Sequence, residues 1–214
     1  MSRIRVHSIF TSLDGFAAGP DQDADNPLGV GGQQLTGWIF ATEFGHAMMG
    51  RTGGSTGIDD AWLRRGDVGI GAHVMGRNMF GPVRGPWPDE SWTGWWGPNP
   101  PYHHDVFVLT HHARPALAME GGTTFHFVTD GLDAALARAT EAADGQDVRI
   151  GGGASTIRAA LAAGIVDELH VAVVPVTLGA GERLWEPDGV WPSGYTVVER
   201  ETSDAVTHYR FERA

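Results

Sequence analysis

Apolar positions along this chain fall into two spacings. In the stretches 4–11, 68–75, 106–110, 124–128, 148–150, 169–174, 195–201 and 207–212 they are dense and often β-branched, which predicts strands. Between several of these runs the spacing changes to three or four. Leu132, Ala135, Leu136 and Ala139 share one helical face, follow the cap-like Thr129 and Asp130, and stop at Gly145. Ile157, Ala160 and Leu161 share a face over 156–163, and that run stops at Gly164. A further helix is predicted over about 35–49. Strands alternating with helices predict parallel pairing through crossover helices, whereas the last two strands, with no helix between them, predict an antiparallel hairpin. The expectation is one α/β domain over residues 1–214 with a mixed sheet and no internal repeat.

Two segments interrupt this alternation. Residues 19–60 are rich in Gly, Asp and Thr around the 35–49 helix. Residues 81–104, GPVRGPWPDESWTGWWGPNPPYHH, hold four of the eight tryptophans and six prolines. A loop of that length is uncommon inside a compact domain. It reads as a packed surface insertion, a pocket wall or a subunit contact. Exposed indole is costly, so the rings are expected to cover something.

Composition narrows the class. The net charge of −11 and the scattered basic residues argue against a nucleic-acid surface. No run approaches the roughly 18–20 apolar residues of a membrane span. The start, MSRIRVHSIF, lacks a signal-peptide core, so the cytoplasm is the expected location. Without cysteine there is no disulfide or thiol chemistry.

The candidate chemistry sits at strand ends. In VRIGGGASTI, residues 148–157, three glycines join a strand to a helix. Glycine lets backbone approach a ligand closely, and a helix N-terminus offers unpaired N–H groups to a phosphate. The same text also suits a tight helix-sheet turn, and it matches neither G-x-G-x-x-G nor the P-loop. In VGIGAHVMGRNMF, residues 68–80, a strand runs into Gly76, Arg77 and Asn78, where a forked guanidinium suits a phosphate monoester. FVLTHH, residues 107–112, ends a third strand in Thr110, His111 and His112. Ligands of open α/β sheets gather at such carboxyl ends.

Other motifs carry less. GGSTG, residues 53–57, fits G-x-S-x-G but lacks the preceding strand of a nucleophile elbow. His104 and His111 flank one strand at roughly 23 Å, too far for one ion, so no metal is expected. PDQDAD, residues 20–25, lacks the glycine and closing glutamate of a calcium loop.

IFTSLDGFAAG, VMGRNMF, FVLTHH, VRIGGGAST and DELHVAVVPVTLGAG, in this order, resemble the dihydrofolate reductase-like superfamily, in particular the reductase domain of riboflavin-biosynthesis deaminase-reductases. The resemblance implies a central, mostly parallel sheet with an antiparallel C-terminal hairpin and helices on both faces. It implies NADPH, with Ile9, Phe10 and Ala17 beside the nicotinamide and Gly76, Arg77, Asn78 and Met79 at the 2′-phosphate and a neighbouring phosphate. Leu109, Thr110 and His111 would lie beside the adenosine, and Gly151, Gly152, Gly153, Ala154, Ser155 and Thr156 along the pyrophosphate. Met79 departs from the threonine frequent in dihydrofolate reductases and leaves only backbone N–H groups there. The implied reaction is hydride transfer to a small flat heterocycle, pterin-like or ribosylaminopyrimidine-like, by a homodimer. A non-catalytic NADPH-binding sensor or accessory protein is the alternative. For the proton, Glu43 reads as donor or solvated side chain, and Asp14 as donor or turn-holder. Trp38 and Phe40 read as stacking platforms for substrate or as core.

Overall fold

The computed structural model describes residues 2–185 and 194–214. In chain order they form β1 (Ile4–Ser12), β2 (Phe16–Ala18), a 3-10 turn (Gly32–Leu35), α1 (Gly37–Phe40), α2 (Glu43–Met48) and α3 (Ile58–Asp67). There follow β3 (Ile70–Gly76), α4 (Arg77–Phe80), β4 (Asp105–Leu109), β5 (Leu117–Ala118), a second 3-10 turn (Glu120–Gly122), β6 (Thr124–Val128) and α5 (Leu132–Ala142). The chain continues through β7 (Asp147–Gly152), α6 (Ala154–Ala162), β8 (Glu168–Val174), β9 (Glu182–Arg183), β10 (Tyr195–Thr202) and β11 (Thr207–Arg213). All eight predicted strands are present, each within a few residues of its expected ends.

The chain's internal contacts separate two compact units, one of the first five residues with Gly69–Ile165, the other of Val6–Val68 with Val166–Ala214. Strand β1 contributes its first two residues to the former and the rest to the latter. In the first unit the strand order is β7-β3-β4-β6-β5, parallel except for the short edge strand β5. Helix α5 returns the chain from β6 to β7, as strands of a parallel sheet require, and packs on β4, β3 and β7; α6, which follows β7, packs on β7 and β3. A core of Met75, Phe80, Val106, Val108 and Phe125 lies under the tryptophan-rich segment. There Trp92 Nε1 donates to the Phe80 carbonyl and Trp87 Nε1 to the His112 carbonyl. Arg114 ties the segment down by donating to the carbonyls of Trp92 and Glu90 at 2.8 and 2.7 Å. These rings therefore roof an aromatic core.

In the second unit the order is β10-β11-β8-β1, with the expected antiparallel hairpin β10–β11. The single helix expected over 35–49 is instead a 3-10 turn and two short helices. Thr42 explains the break: its Oγ1 accepts from the Gly45 N–H at 3.0 Å and so caps α2. Helix α3 was not foreseen. It has Asp59 and Asp60 in its first turn and Arg64 and Arg65 in its last, the arrangement the helix dipole favours. Its buried face is Trp62, Leu63 and Gly66. A Cβ at Gly66 would collide with the His7 imidazole, so only glycine lets α3 lie this close to β1.

Candidate functional site

In the first unit the three marked segments end side by side. Strands β7, β3 and β4 are parallel neighbours, with Met75 opposite Gly152 and Gly76 opposite Leu109. Their carboxyl ends thus bring together Gly76 to Met79, Leu109 to His111 and Gly151 to Thr156. The approach is close: a Cβ on Gly76 would sit 2.7 Å from Thr156 Oγ1 and 3.3 Å from the Gly153 nitrogen. Gly152 has φ +137°, a conformation that side chains rarely adopt, and a Cβ there would strike the Met79 sulfur. Helix α6 starts at Ala154 with Gly153 as its cap and no side-chain oxygen on its first N–H groups. Those donors and the positive end of the helix dipole remain available to an anion.

Arg77 dominates the electrostatics of this corner. It opens α4, lies 3.6 Å over the Trp87 ring, and donates from Nη1 to the Gly85 carbonyl at 2.5 Å. Its Nε and Nη2 are buried and have no hydrogen-bond partner among the described residues. Burial chiefly, then the charges of Arg84 and Arg114, hold its pKa below the usual arginine value. Arg84 bonds the Asn78 carboxamide oxygen. Two buried, unsatisfied guanidinium N–H groups amid cations are costly alone and complementary to a phosphate-sized anion. Thr110 is buried, and its Oγ1 accepts from the His112 N–H at 3.2 Å, whereas His111 is exposed.

The remaining predicted residues lie in the second unit. Ile9 and Ala17 are buried, and Phe10 packs against the cluster of Leu35, Trp38, Leu63, Ala172, Val174 and Val206. Trp38 is thus a core residue, yet its buried Nε1 has no acceptor among the described residues. Phe40 is 41% exposed. Glu43 is exposed and paired with Arg64 at 2.6 Å. Asp14 accepts from the backbone N–H groups of Leu178 and Gly179 at 3.1 and 2.7 Å. The Ser12 hydroxyl, with those N–H groups, lowers its pKa to about 2. Both carboxylates are therefore engaged, Glu43 in an ion pair and Asp14 in holding its turn.

A different carboxylate, marked by no local motif, lies elsewhere in this unit. Asp59 Oδ1 lies 2.8 Å from His208 Nε2 in a buried group with His170, His7 and Trp62. The signal was a histidine inside each of three apolar strands, RVHSIF, ELHVAV and VTHYRF.

The model of the RibD C-terminal domain matches residues 6–197. The chain belongs to this family. As a RibD C-terminal domain it has the expected fold neighbours among solved structures. One is a protein from Shewanella sp. PV-4 named for riboflavin biosynthesis, 22% identical over 100% of this chain and 99% of that one, with TM-score 0.60. Another is a pyrimidine reductase-like protein from Corynebacterium diphtheriae, 17% identical over 100% and 92%, with TM-score 0.55. A third is the dihydrofolate reductase of Enterococcus faecalis complexed with NADP(H) and RAB-propyl, 15% identical over 99% and 96%, with TM-score 0.51. These likenesses establish the dihydrofolate reductase-like fold. No curated protein matches this chain.

Proposed function

We propose that this RibD C-terminal domain is an NADPH-dependent reductase that transfers a hydride to a small flat heterocycle, pyrimidine-like or pterin-like. Family membership supports a reductase. The observation that carries the cofactor is Arg77, whose two buried, unsatisfied N–H groups sit at a glycine-lined strand edge. Those residues fit a phosphorylated dinucleotide. Arg77 and Asn78 would hold the 2′-phosphate, the α6 N-terminus with Gly151–Thr156 the pyrophosphate, and Leu109 to His111 would line the adenosine. Ile9, Phe10 and Ala17 are assigned by resemblance to the nicotinamide end. When bound, NADPH supplies the hydride, and the chain's residues orient the reactants, exclude water and provide a proton. The family match draws residues from both units, which supports treating 1–214 as one functional domain.

The test is NADPH binding followed by quenching of intrinsic tryptophan fluorescence, with NADH and Arg77→Ala as controls. Tight NADPH binding, weakened for NADH and for Arg77→Ala, is expected. No binding at submillimolar NADPH overturns the reading. Binding without turnover across a panel of pyrimidine and pterin substrates would favour the sensor alternative.

A further inference from the structure

The second unit contains a line of titratable groups that the cofactor assignment leaves unused. His7 on β1, His170 on β8 and His208 on β11 are at most 1% exposed. His7 Nδ1 is 3.2 Å from His170 Nδ1, His170 Nε2 is 3.0 Å from His208 Nδ1, and His208 Nε2 is 2.8 Å from Asp59 Oδ1. Trp62 of α3 stacks on His170 and His208 with ring centroids 4.5 and 5.1 Å away, and its Nε1 donates to Glu201 at 2.9 Å. The groups are strung in a line, and no cluster suited to a metal ion occurs among the described residues.

The backbone fixes the direction of this line. The Ser8 N–H donates to His170 Nδ1 at 3.0 Å, and a backbone N–H can only donate. His170 Nδ1 is therefore bare, so neutral His170 carries its proton on Nε2. That proton points at His208 Nδ1, which must accept, so His208 carries its proton on Nε2 and donates to Asp59. At the other end, His7 Nδ1 lies 3.2 Å from the same bare nitrogen and 3.3 Å from Ser8 Oγ, and two bare nitrogens in contact would repel, so the arrangement favours a proton on His7 Nδ1. Every bond runs one way, from His7 through His170 and His208 to Asp59. Bonds aligned head to tail strengthen one another in a low dielectric.

We propose that Asp59, His208, His170 and His7 form one oriented proton-sharing chain that takes up a single proton, opens outward at Asp59, and serves as the proton source for the reduction. The last clause rests on the reductase reading; the first two do not. The chain holds its extra proton among the imidazoles and delivers it through Asp59, as an O–H bond formed there at the moment of transfer. That bond would break as the substrate's C=N or C=O carbon gains a hydride, which bound NADPH would supply together with its two electrons. The proton goes to the heteroatom, and the electron pair left on Asp59 is held by the His208 N–H. Asp59, 17% exposed at its side chain, then recovers a proton from solvent. The three histidines are positioning residues: they fix the carboxylate and hold its charge. The unsatisfied Trp38 N–H lies beside the chain, its ring 5.4 Å from that of His208, and suits an acceptor atom of the ligand.

Other charged groups bear on this face. Glu201 stands opposite His208 across the β10–β11 pair, and Arg210, opposite His170, is bonded to Glu168, Glu199 and Glu212. On α3, Arg65 pairs with Glu199. Burial lowers the His208 pKa, while Asp59 and then Glu201 act in the opposite sense.

The experiment is a pH titration of the intact protein followed by imidazole nitrogen NMR, without cofactor. At pH 8 the expected tautomers are Nδ1–H for His7 and Nε2–H for His170 and His208. On acidification His170 and His208 should shift with one common midpoint, and Asp59→Asn should lower it by about one pH unit or more. An Nδ1–H tautomer at His170, or a midpoint unmoved in Asp59→Asn, overturns the chain. Asp59→Asn changes little volume at a partly exposed position, so it remains usable where a His170→Gln variant fails to fold. In turnover, Asp59→Asn should lower kcat by about 10²–10⁴ with NADPH affinity unchanged. Unchanged kcat overturns the proton-source role, whereas failure to bind NADPH with the NMR result intact would strike the reductase reading alone.

Discussion

The Arg77 corner and the Asp59 chain treat charge in opposite ways. In the first unit, Arg77 is partly buried against Trp87 with other cations as its charged neighbours, and two of its N–H groups bond nothing among the described residues. In the second, each imidazole of the chain bonds the next and a carboxylate closes the line. Burying an unpaired charge is costly, whereas a hydrogen-bonded polar chain rigidifies what surrounds it. The first arrangement is built for something that arrives, and the second for something kept.

The sharpest way to break this contrast is Arg77→Met, which keeps the stem over Trp87 and removes the charge. Hydrogen bonds to charged groups are worth about 1.5–3 kcal/mol, so NADPH affinity should fall about 10- to 100-fold. The ligand-free protein should lose little stability, because Arg84 and Arg114 repel the guanidinium that is removed. Thermal denaturation with and without NADPH checks both halves. A large loss of stability without ligand would make Arg77 a structural cation and erase the difference.

Acid sensitivity is the next discriminator. His73 in the first unit is held well below the usual histidine pKa by burial first, then by Arg149 and His104. His208 is also lowered, but Asp59 and Glu201 oppose its burial. Both groups bind a proton less readily in the fold than in the unfolded chain, so stability falls as pH drops below about 6.5. Each proton so excluded contributes a slope of about 1.4 kcal/mol per pH unit. Denaturant titrations across pH 7 to 5 should show this slope, and His73→Gln should remove a larger share than His208→Gln. Asp14, with its pKa near 2, acts in a separate window: its contribution is present above about pH 3.8 and lost as pH falls toward 2. A smaller effect is expected of Trp62→Phe, which keeps much of the stacking on the imidazoles but loses the bond to Glu201, at about 1 kcal/mol.

How much of each region the sequence announced follows from the range of the signal. Gly76-Arg77 and the run Gly151-Gly152-Gly153 are local motifs, and a parallel sheet puts neighbouring strand ends together. What local text could not announce is the Trp87 ring under Arg77, delivered by a proline-rich loop. The histidines were legible one by one, but His7 and His170 are 163 positions apart, and no local pattern encodes their pairing. Helix α3 was hidden because it is short, carries Asp59, Asp60, Arg64 and Arg65, and follows a glycine-rich stretch. Helix propensity alone did not foresee the break at Thr42, where a cap and a bridge to Ser55 override an otherwise continuous spacing.

The smallest expected effect tests the assignment of the proton. Glu43 and Asp14 are the carboxylates suggested by sequence, whereas the proposed chain delivers its proton at Asp59. Glu43→Gln breaks an exposed pair, yet Arg64 keeps its 2.7 Å bond to Asp60, so neither turnover nor Tm should change measurably. Asp14 is ionised at neutral pH and spends both oxygens on backbone N–H groups, so Asp14→Asn should loosen its turn without moving the pH profile of turnover. A tenfold or greater loss of kcat in Glu43→Gln, with NADPH affinity intact, would return the donor role to Glu43. The histidine chain would then be a rigid, hydrogen-bonded part of the core and no more.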